Sequence, residues 1–158
     1  PCRMHSEYLR HLFLDNELAE GRFKAAGKPV ALTDMRAPIF AVGTLHDHVA
    51  PWRSTFKIHL LTDCEVTYLL TTGGHNVGIV SEPGSNGRSF QVMTKNPADH
   101  YLDPEVFLAN APRKEGSWWP EWKAWLTAHS GTPVAPPAIG LPGYAPLCEA
   151  PGTYVLQD

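Results

Sequence analysis

One acidic residue and one histidine in this sequence have a spacing that suits proton transfer. Asp47 follows the apolar residues 38–44, and His75 follows the apolar residues 66–72. A carboxylate that is hydrogen-bonded to an imidazole fixes the tautomer of the ring and stabilises its protonated form, so the other ring nitrogen can act as a general base. Asp47 and His75 are therefore candidates for two members of a catalytic triad.

The two residues can meet only if the segments before them lie side by side. Residues 38–44 form an apolar run without alternation, which predicts a buried parallel strand covered on both faces. Residues 66–72 predict a second strand, and residues 52–61 between them have helical spacing. Strands joined by such a helix are parallel, and the crossover is almost always right-handed. Because sites form outside the carboxyl ends of strands in open α/β sheets, Asp47 and His75 are expected at one sheet edge.

The other patterns predict further short elements around this unit. Residues 6–20 are predicted to form a helix that is capped by Ser6, ends at Gly21 and breaks near residues 15–16. The remaining predictions are a hairpin of residues 23–25 and 30–32, a helix at 76–80, a loop at 81–88, a strand at 90–93, a helix at 104–109 and a helix from Ser117 to near His129 that carries Trp118, Trp122 and Trp125 on one face. Residues 130–158 contain six prolines and four glycines and predict an extended tail, so the domain boundaries are set at 1–129 and 130–158.

Composition excludes several classes of partner. The chain has 13 Lys and Arg against 16 Asp and Glu, which is too few cations for a nucleic-acid surface. No apolar run approaches the roughly 18 residues of a membrane span, and the N-terminus lacks the features of a secretory signal. We therefore expect a cytoplasmic protein with no nucleic-acid partner and no membrane span. Three widely spaced cysteines without a C-x-x-C pair predict reduced thiols.

No residue of the chain fits the role of the nucleophile. In the α/β-hydrolase order the nucleophile comes first, on a G-x-S-x-G-like elbow, and no such elbow occurs here. Residues 84–87 have the wrong spacing, Cys2 has no preceding strand, and Cys64 lies before the second predicted strand, at its opposite end. The sequence also begins with Pro1 rather than Met. We expect the nucleophile on a missing N-terminal portion.

Other interpretations of the same residues stay open. A strand-end aspartate followed by a strand-end histidine can be structural or coincidental. Together with His46 and His48, the pair could ligate zinc, because an H-x-H pair on a loop can chelate a metal. The tryptophan face is more typical of packing than of a partner site. A non-catalytic binding or scaffold module would use that face and the strand edge to recognise a granule or a protein partner.

Several stretches resemble a known enzyme family over nearly the whole chain. The most specific are Asp47-His48-Val49-Ala50-Pro51-Trp52 and Gly116-Ser117-Trp118-Trp119-Pro120, and the others are residues 4–10, 18–23, 38–44, 73–78 and 150–155. They are similar to the C-terminal part of class I poly(3-hydroxyalkanoate) synthases. The resemblance implies the C-terminal portion of an α/β-hydrolase fold with parallel strands, a crossover helix and an extended Pro-rich tail.

The resemblance also implies an activity and its residues. These synthases are acyltransferases that polymerise (R)-3-hydroxyacyl-CoA into polyester and release CoA. By position, Asp47 matches the family's catalytic aspartate, His75 its catalytic histidine, and His48 the histidine that follows the aspartate, in a supporting role. The implied partners are hydroxyacyl-CoA, the polyester chain and the missing N-terminal portion, at the surface of a cytoplasmic granule. No cofactor is expected. Residues 38–44 should lack a neighbouring strand and promote self-association, in its simplest form as a homodimer.

The first prediction concerns the chain alone. Because no nucleophile accompanies the pair, the purified chain is expected to release no CoA from an (R)-3-hydroxyacyl-CoA. A thiol-reactive dye would detect free CoA, with a buffer blank as the control. Release above that blank would refute the prediction.

Overall fold

The sheet that carries the candidate pair lies in the first of two units, Pro1–Ala128 and His129–Asp158. The computed structural model describes residues 1–157. The first unit begins with α1 (Cys2–Tyr8), a π-helical segment (Leu9–Leu14), β1 (Lys24–Ala25), β2 (Lys28–Pro29) and a 3₁₀ helix (Leu32–Asp34). It continues with β3 (Ile39–Thr44), α2 (Trp52–Thr55), α3 (Ile58–Leu61), β4 (Val66–Thr71), β5 (Ser89–Lys95), α4 (Pro104–Asn110), β6 (Arg113–Glu115) and α5 (Trp119–Ala128).

The four-stranded sheet has the order β3-β4-β5-β6 and mixed strand directions. β3 and β4 are parallel, with Ile39 opposite Val66 and Thr44 opposite Thr71, which confirms the predicted parallel pair. β5 and β6 are antiparallel to their neighbours, so the expectation of a parallel sheet is correct for β3 and β4 alone. The connection from β4 to β5 contains no helix, and an antiparallel neighbour needs no crossover.

An aromatic core holds the crossover between β3 and β4 against the sheet. The crossover contains two short helices, α2 and α3, where the sequence predicted one. Phe56, which lies between them, is 1% exposed and packs against Trp52, Tyr68 and Phe107 at ring-centroid distances of 6.0, 4.8 and 5.2 Å. Phe56 therefore anchors the crossover in the core at the point where the helix is interrupted.

Exposure of β3 differs from the prediction. β4 is buried along its whole length, but residues Ile39–Val42 of β3 are only half-buried. The prediction of a strand covered on both faces is therefore wrong for β3. Within residues 1–157 this strand has β4 as its one sheet neighbour, so its outer edge is unpaired.

The first helix begins earlier and ends earlier than predicted. α1 starts at Cys2 and includes Ser6, so Ser6 is not its cap. The helical path ends at Leu14, and Asn16 has a φ of 47°, which confirms the predicted break. An asparagine tolerates this left-handed conformation, which a helix cannot continue through. The predicted hairpin is present, but its second strand is Lys28–Pro29 and not residues 30–32, because its turn is the pair Ala26-Gly27 with φ values of 50° and 78°.

The remaining elements agree in part with the sequence. β5 and α4 match the predicted strand and helix, and the hydroxyl of Ser117 accepts a hydrogen bond from the Trp119 amide at 3.1 Å at the start of α5. Residues 76–80 form turns and not a helix, and β6 was not predicted.

The second unit is described separately. Its described residues, 129–157, contain a 3₁₀ helix, Tyr154–Leu156, and a bridge between Leu141 and Tyr144. Asp158, the last residue of the predicted tail, lies outside the described residues. In the part of the chain that is described, no helix has both the length and the apolar character to cross a membrane.

A core substitution tests the importance of this aromatic cluster. Replacing Phe56 with Ala should lower the free energy of unfolding by about 3–5 kcal/mol, because it removes a buried ring and leaves a cavity. The measurement is urea unfolding followed by tryptophan fluorescence. Leu60→Ala is the matched control in the same crossover, since Leu60 is 57% exposed and its loss should cost little. Equal losses in both variants would contradict this account of the core.

Candidate active site

Backbone hydrogen bonds join the segments that follow β3 and β4. The Leu45 amide donates to the Thr71 carbonyl at 2.9 Å, and the His46 amide donates to the Gly73 carbonyl at 3.0 Å. The pairing of the two strands therefore continues past their carboxyl ends. Asp47 is the next residue on one side, and His75 comes two residues later on the other.

The predicted hydrogen bond between Asp47 and His75 is present. His75 Nδ1 lies 2.9 Å from Asp47 Oδ2. Because an ionised carboxylate can only accept, the proton of this bond lies on Nδ1. The His75 side chain is 48% exposed, and its Nε2 has no hydrogen-bond partner within residues 1–157. This nitrogen is therefore free to take a proton from another group.

The carboxylate of Asp47 is held in place by its own loop. Its Oδ1 accepts hydrogen bonds from the amides of Val49 at 2.8 Å and Ala50 at 2.9 Å. The Ala50 amide, together with His75 and the Val49 amide, lowers the pKa of Asp47 to about 2 against the opposing effect of burial. Asp47 is therefore ionised at neutral pH and can orient the imidazole.

Thr44 is a site residue that the sequence analysis missed. It ends β3, is 2% exposed, and its hydroxyl lies 3.4 Å from Asp47 Oδ2, at the long limit of a hydrogen bond. Its methyl group also contacts the turn that carries His75. A threonine at the end of a strand was the available signal, but strand propensity alone explains that residue equally well.

Glycines allow the His75 turn to pack onto the end of β3. Gly73 has a φ of 110°, and a Cβ atom there would lie 2.8 Å from the Gly78 Cα. A Cβ atom on Gly78 would lie 2.6 Å from the Thr44 Cγ2. Any side chain at Gly78 would therefore push the turn away from Thr44, and with it His75 away from Asp47.

The other candidates from the sequence do not join this pair. His46 and His48 are exposed, and neither side chain forms a hydrogen bond in the described part of the chain. Cys64 is buried beside the amino end of β4. Across residues 1–157, no group of three or more His, Cys, Asp or Glu side chains is arranged to hold a metal ion, which is what the zinc alternative required.

Comparison with known proteins shows what the chain is similar to. The mixed α/β sheet with a parallel pair is compatible with part of an α/β-hydrolase fold. No protein-family model matches the chain. It is 35% identical to the poly(3-hydroxyalkanoate) polymerase subunit PhaC of Rhizobium etli over 97% of its own length and 23% of the relative. It is 35% identical to the poly(3-hydroxyalkanoate) polymerase subunit PhaC of Cupriavidus necator, over 94% of its own length and 25% of the relative. It is 37% identical to the poly(3-hydroxyalkanoate) polymerase of Methylorubrum extorquens, over 98% of its own length and 25% of the relative.

These matches confirm the resemblance that the short stretches predicted. The chain is similar in sequence to the C-terminal part of poly(3-hydroxyalkanoate) polymerases. It spans about a quarter of the length of these curated relatives.

The lowered pKa of Asp47 predicts a specific acid sensitivity of folding. The pKa is about 2 in the folded chain against an ordinary value of 3.8, so the unfolded chain binds more protons between these values. The contribution of Asp47 to stability is present above roughly pH 4 and is lost as the pH falls through about 2. The free energy of unfolding of Asp47→Asn should therefore decrease less steeply with acid than that of the unmodified chain.

Urea unfolding at a series of pH values between about 5 and about 2 measures this slope. Asp63→Asn is the control, because Asp63 is exposed and its side chain forms no hydrogen bond within the described residues. It should follow the unmodified chain. If Asp47→Asn followed the unmodified chain as well, the carboxylate would not be held as described.

Proposed function

We propose that this chain is the C-terminal part of a polyhydroxyalkanoate synthase, an acyltransferase that polymerises (R)-3-hydroxyacyl-CoA into polyester and releases CoA. The observation that carries the proposal is the 2.9 Å contact between His75 Nδ1 and Asp47 Oδ2 at the carboxyl ends of two parallel strands. The homology to poly(3-hydroxyalkanoate) polymerases supplies the reaction class. In this proposal, residues 1–129 belong to an α/β-hydrolase catalytic domain and residues 130–158 form its extended tail.

In the first chemical step, His75 activates a cysteine thiol. In this proposal, the cysteine belongs to the N-terminal portion of the synthase, which lies outside this chain. His75 Nε2 takes the thiol proton, and the thiolate attacks the thioester carbon of the substrate. The bond from that carbon to the CoA sulfur breaks, CoA leaves with the proton from His75, and the acyl group stays on the cysteine. Asp47 stabilises the imidazolium that exists between these transfers.

In the second step, the pair activates a hydroxyl group. Asp47 and His75 together remove the proton from the 3-hydroxyl of an acyl unit, and the oxygen attacks the carbonyl carbon of an acyl chain on sulfur. A new ester bond forms, the bond to sulfur breaks, and the proton returns to the released thiolate. Since one base serves both steps, sulfur and oxygen must both reach Nε2, and the 48% exposure of His75 leaves room for this.

The unpaired edge of β3 supports the proposal that another strand pairs with it. An open strand edge presents unpaired amide and carbonyl groups to any strand that can dock there. β3 is half-buried and has one neighbour within residues 1–157. We assign its other neighbour to the N-terminal portion of the same enzyme. Without that portion, the edge favours self-association, in its simplest form as a homodimer.

An apolar cavity supports the placement at a granule surface, and it also supports the alternative of a binding or scaffold module. Its volume is about 390 Å³, and it is lined by Pro83, Trp119, Pro120, Trp122 and Lys123. Val80 is 61% exposed, and the Trp119 indole donates to the carbonyl of Ile79 on the same loop. A polyester surface would cover such side chains. The module alternative involves no chemistry at His75, so substitution at the pair separates the two functions.

The decisive experiment restores the missing portion. In the Cupriavidus necator relative, the matched quarter is exchanged for this chain, and CoA release from a short-chain (R)-3-hydroxyacyl-CoA is followed. His75→Gln and Asp47→Asn should each lower turnover by about 10²–10⁴, because each removes part of the general base. Circular dichroism checks that both variants are folded.

His48→Gln is the matched control, since His48 is exposed and makes no hydrogen bond within residues 1–157. Because His48 has only a supporting role in this proposal, the loss of turnover in His48→Gln should be smaller than that in His75→Gln by a factor of at least about ten. Unchanged turnover in folded His75→Gln would favour the binding or scaffold module and would refute the proposed catalytic role of His75.

A further inference from the structure

The segment Ser117-Trp118-Trp119 contacts the loop that follows His75. The Trp118 indole Nε1 donates to the Gly78 carbonyl at 3.0 Å, and the Trp119 indole Nε1 donates to the Ile79 carbonyl at 2.9 Å. The hydroxyl of Ser117 donates to the carbonyl of Ser81. Three consecutive residues therefore bind three backbone carbonyls of one short loop, although about 40 residues of sequence separate the two segments.

His75 lies in a turn that has one fixed point at each end. At the front, the Gly73 carbonyl accepts from the His46 amide at 3.0 Å. At the rear, Gly78 closes the turn by donating to the Gly74 carbonyl at 2.9 Å, and its own carbonyl accepts from Trp118. Residues 75–80 belong to no helix or strand, so the position of the His75 ring depends on these two points, on the packing of Gly78 against Thr44 and on the bond to Asp47 itself.

The residue that supports the rear of the turn is packed in the core of the sheet. Trp118 is 5% exposed and packs with Leu69 of β4 and Phe90 of β5. Ser117 Oγ accepts from the Trp119 amide, which ties the segment to the start of α5. The indole groups therefore fix the turn relative to the core of the sheet. If an indole N–H is removed, the carbonyl of Gly78 or Ile79 loses its hydrogen-bond donor and is no longer held in position.

We propose that Trp118 and Trp119 are positioning residues for His75. By holding the carbonyls of Gly78 and Ile79, they keep the imidazole Nδ1 against Asp47 Oδ2. The relevance for catalysis rests on the proposed role of His75 as the base. The positioning itself is a property of the folded chain and is measurable without turnover.

The test observes the imidazole of His75 directly. Long-range ¹H–¹⁵N spectra of the labelled chain distinguish the Nδ1–H tautomer from the Nε2–H tautomer, and His75→Gln assigns the signals. In Trp119→Phe and Trp118→Phe, which keep an aromatic ring but remove the N–H, the ratio of Nδ1–H to Nε2–H should fall by about fivefold, the effect of one lost hydrogen bond. Ser117→Ala should act in the same direction.

Trp122→Phe is the matched control. Trp122 lies on α5 together with Trp119 and contacts the Trp118 ring at a centroid distance of 5.9 Å, but it makes no hydrogen bond to the loop of residues 75–81. Its substitution should leave the tautomer ratio unchanged. Thermal unfolding of all variants is measured in parallel, because a purely structural role would lower the melting temperature and leave the His75 signals as they are.

The outcomes are distinct. A shifted tautomer ratio in Trp119→Phe with an unchanged ratio in Trp122→Phe supports the proposal, and it does so even if the chimeric synthase is inactive. An unchanged ratio in folded Trp119→Phe and Ser117→Ala overturns it, whatever happens to turnover. Trp119 is only half-buried, so its variant provides the answer if Trp118→Phe does not fold.

Discussion

The parallel pairing of β3 and β4 is the constraint on which the candidate site depends. Parallel strands end at the same sheet edge, and here the hydrogen bonds of the pair extend beyond both strands to His46 and Gly73. This extension brings two loops that are distant in sequence to within one hydrogen bond of each other. The aromatic core around Phe56 keeps the crossover on the sheet and so maintains the pairing.

The two members of the pair are held in different ways. Asp47 is nearly buried, with 8% of its side chain exposed, and two amides of its own loop hold its carboxylate in place. His75 is half-exposed and depends on a turn that other segments support from outside. In the proposed function, this asymmetry suits a base that meets a sulfur and an oxygen in succession, because the negative charge of Asp47 does not move while the imidazole takes up and releases protons.

Much of the arrangement could be predicted from local patterns. The apolar runs predicted β3 and β4, and the length of the connection predicted that they are parallel, so the contact of Asp47 with His75 followed from the sequence. The directions of β5 and β6 were not predictable in this way, because a strand segment has the same composition in either direction. The division of the predicted crossover helix into α2 and α3 was not predictable either, because residues 52–61 have helical spacing throughout.

The sequence by itself determined that an acid and an imidazole would meet at one sheet edge. It also carried the short stretches by which the homology to poly(3-hydroxyalkanoate) polymerases was predicted. Only the tertiary structure decided how the pair is supported. The contact of Thr44 with Gly78 and the bonds from Trp118 and Trp119 join residues far apart in the chain, and no local pattern encodes a contact that exists only after the sheet, the turn and α5 have packed together.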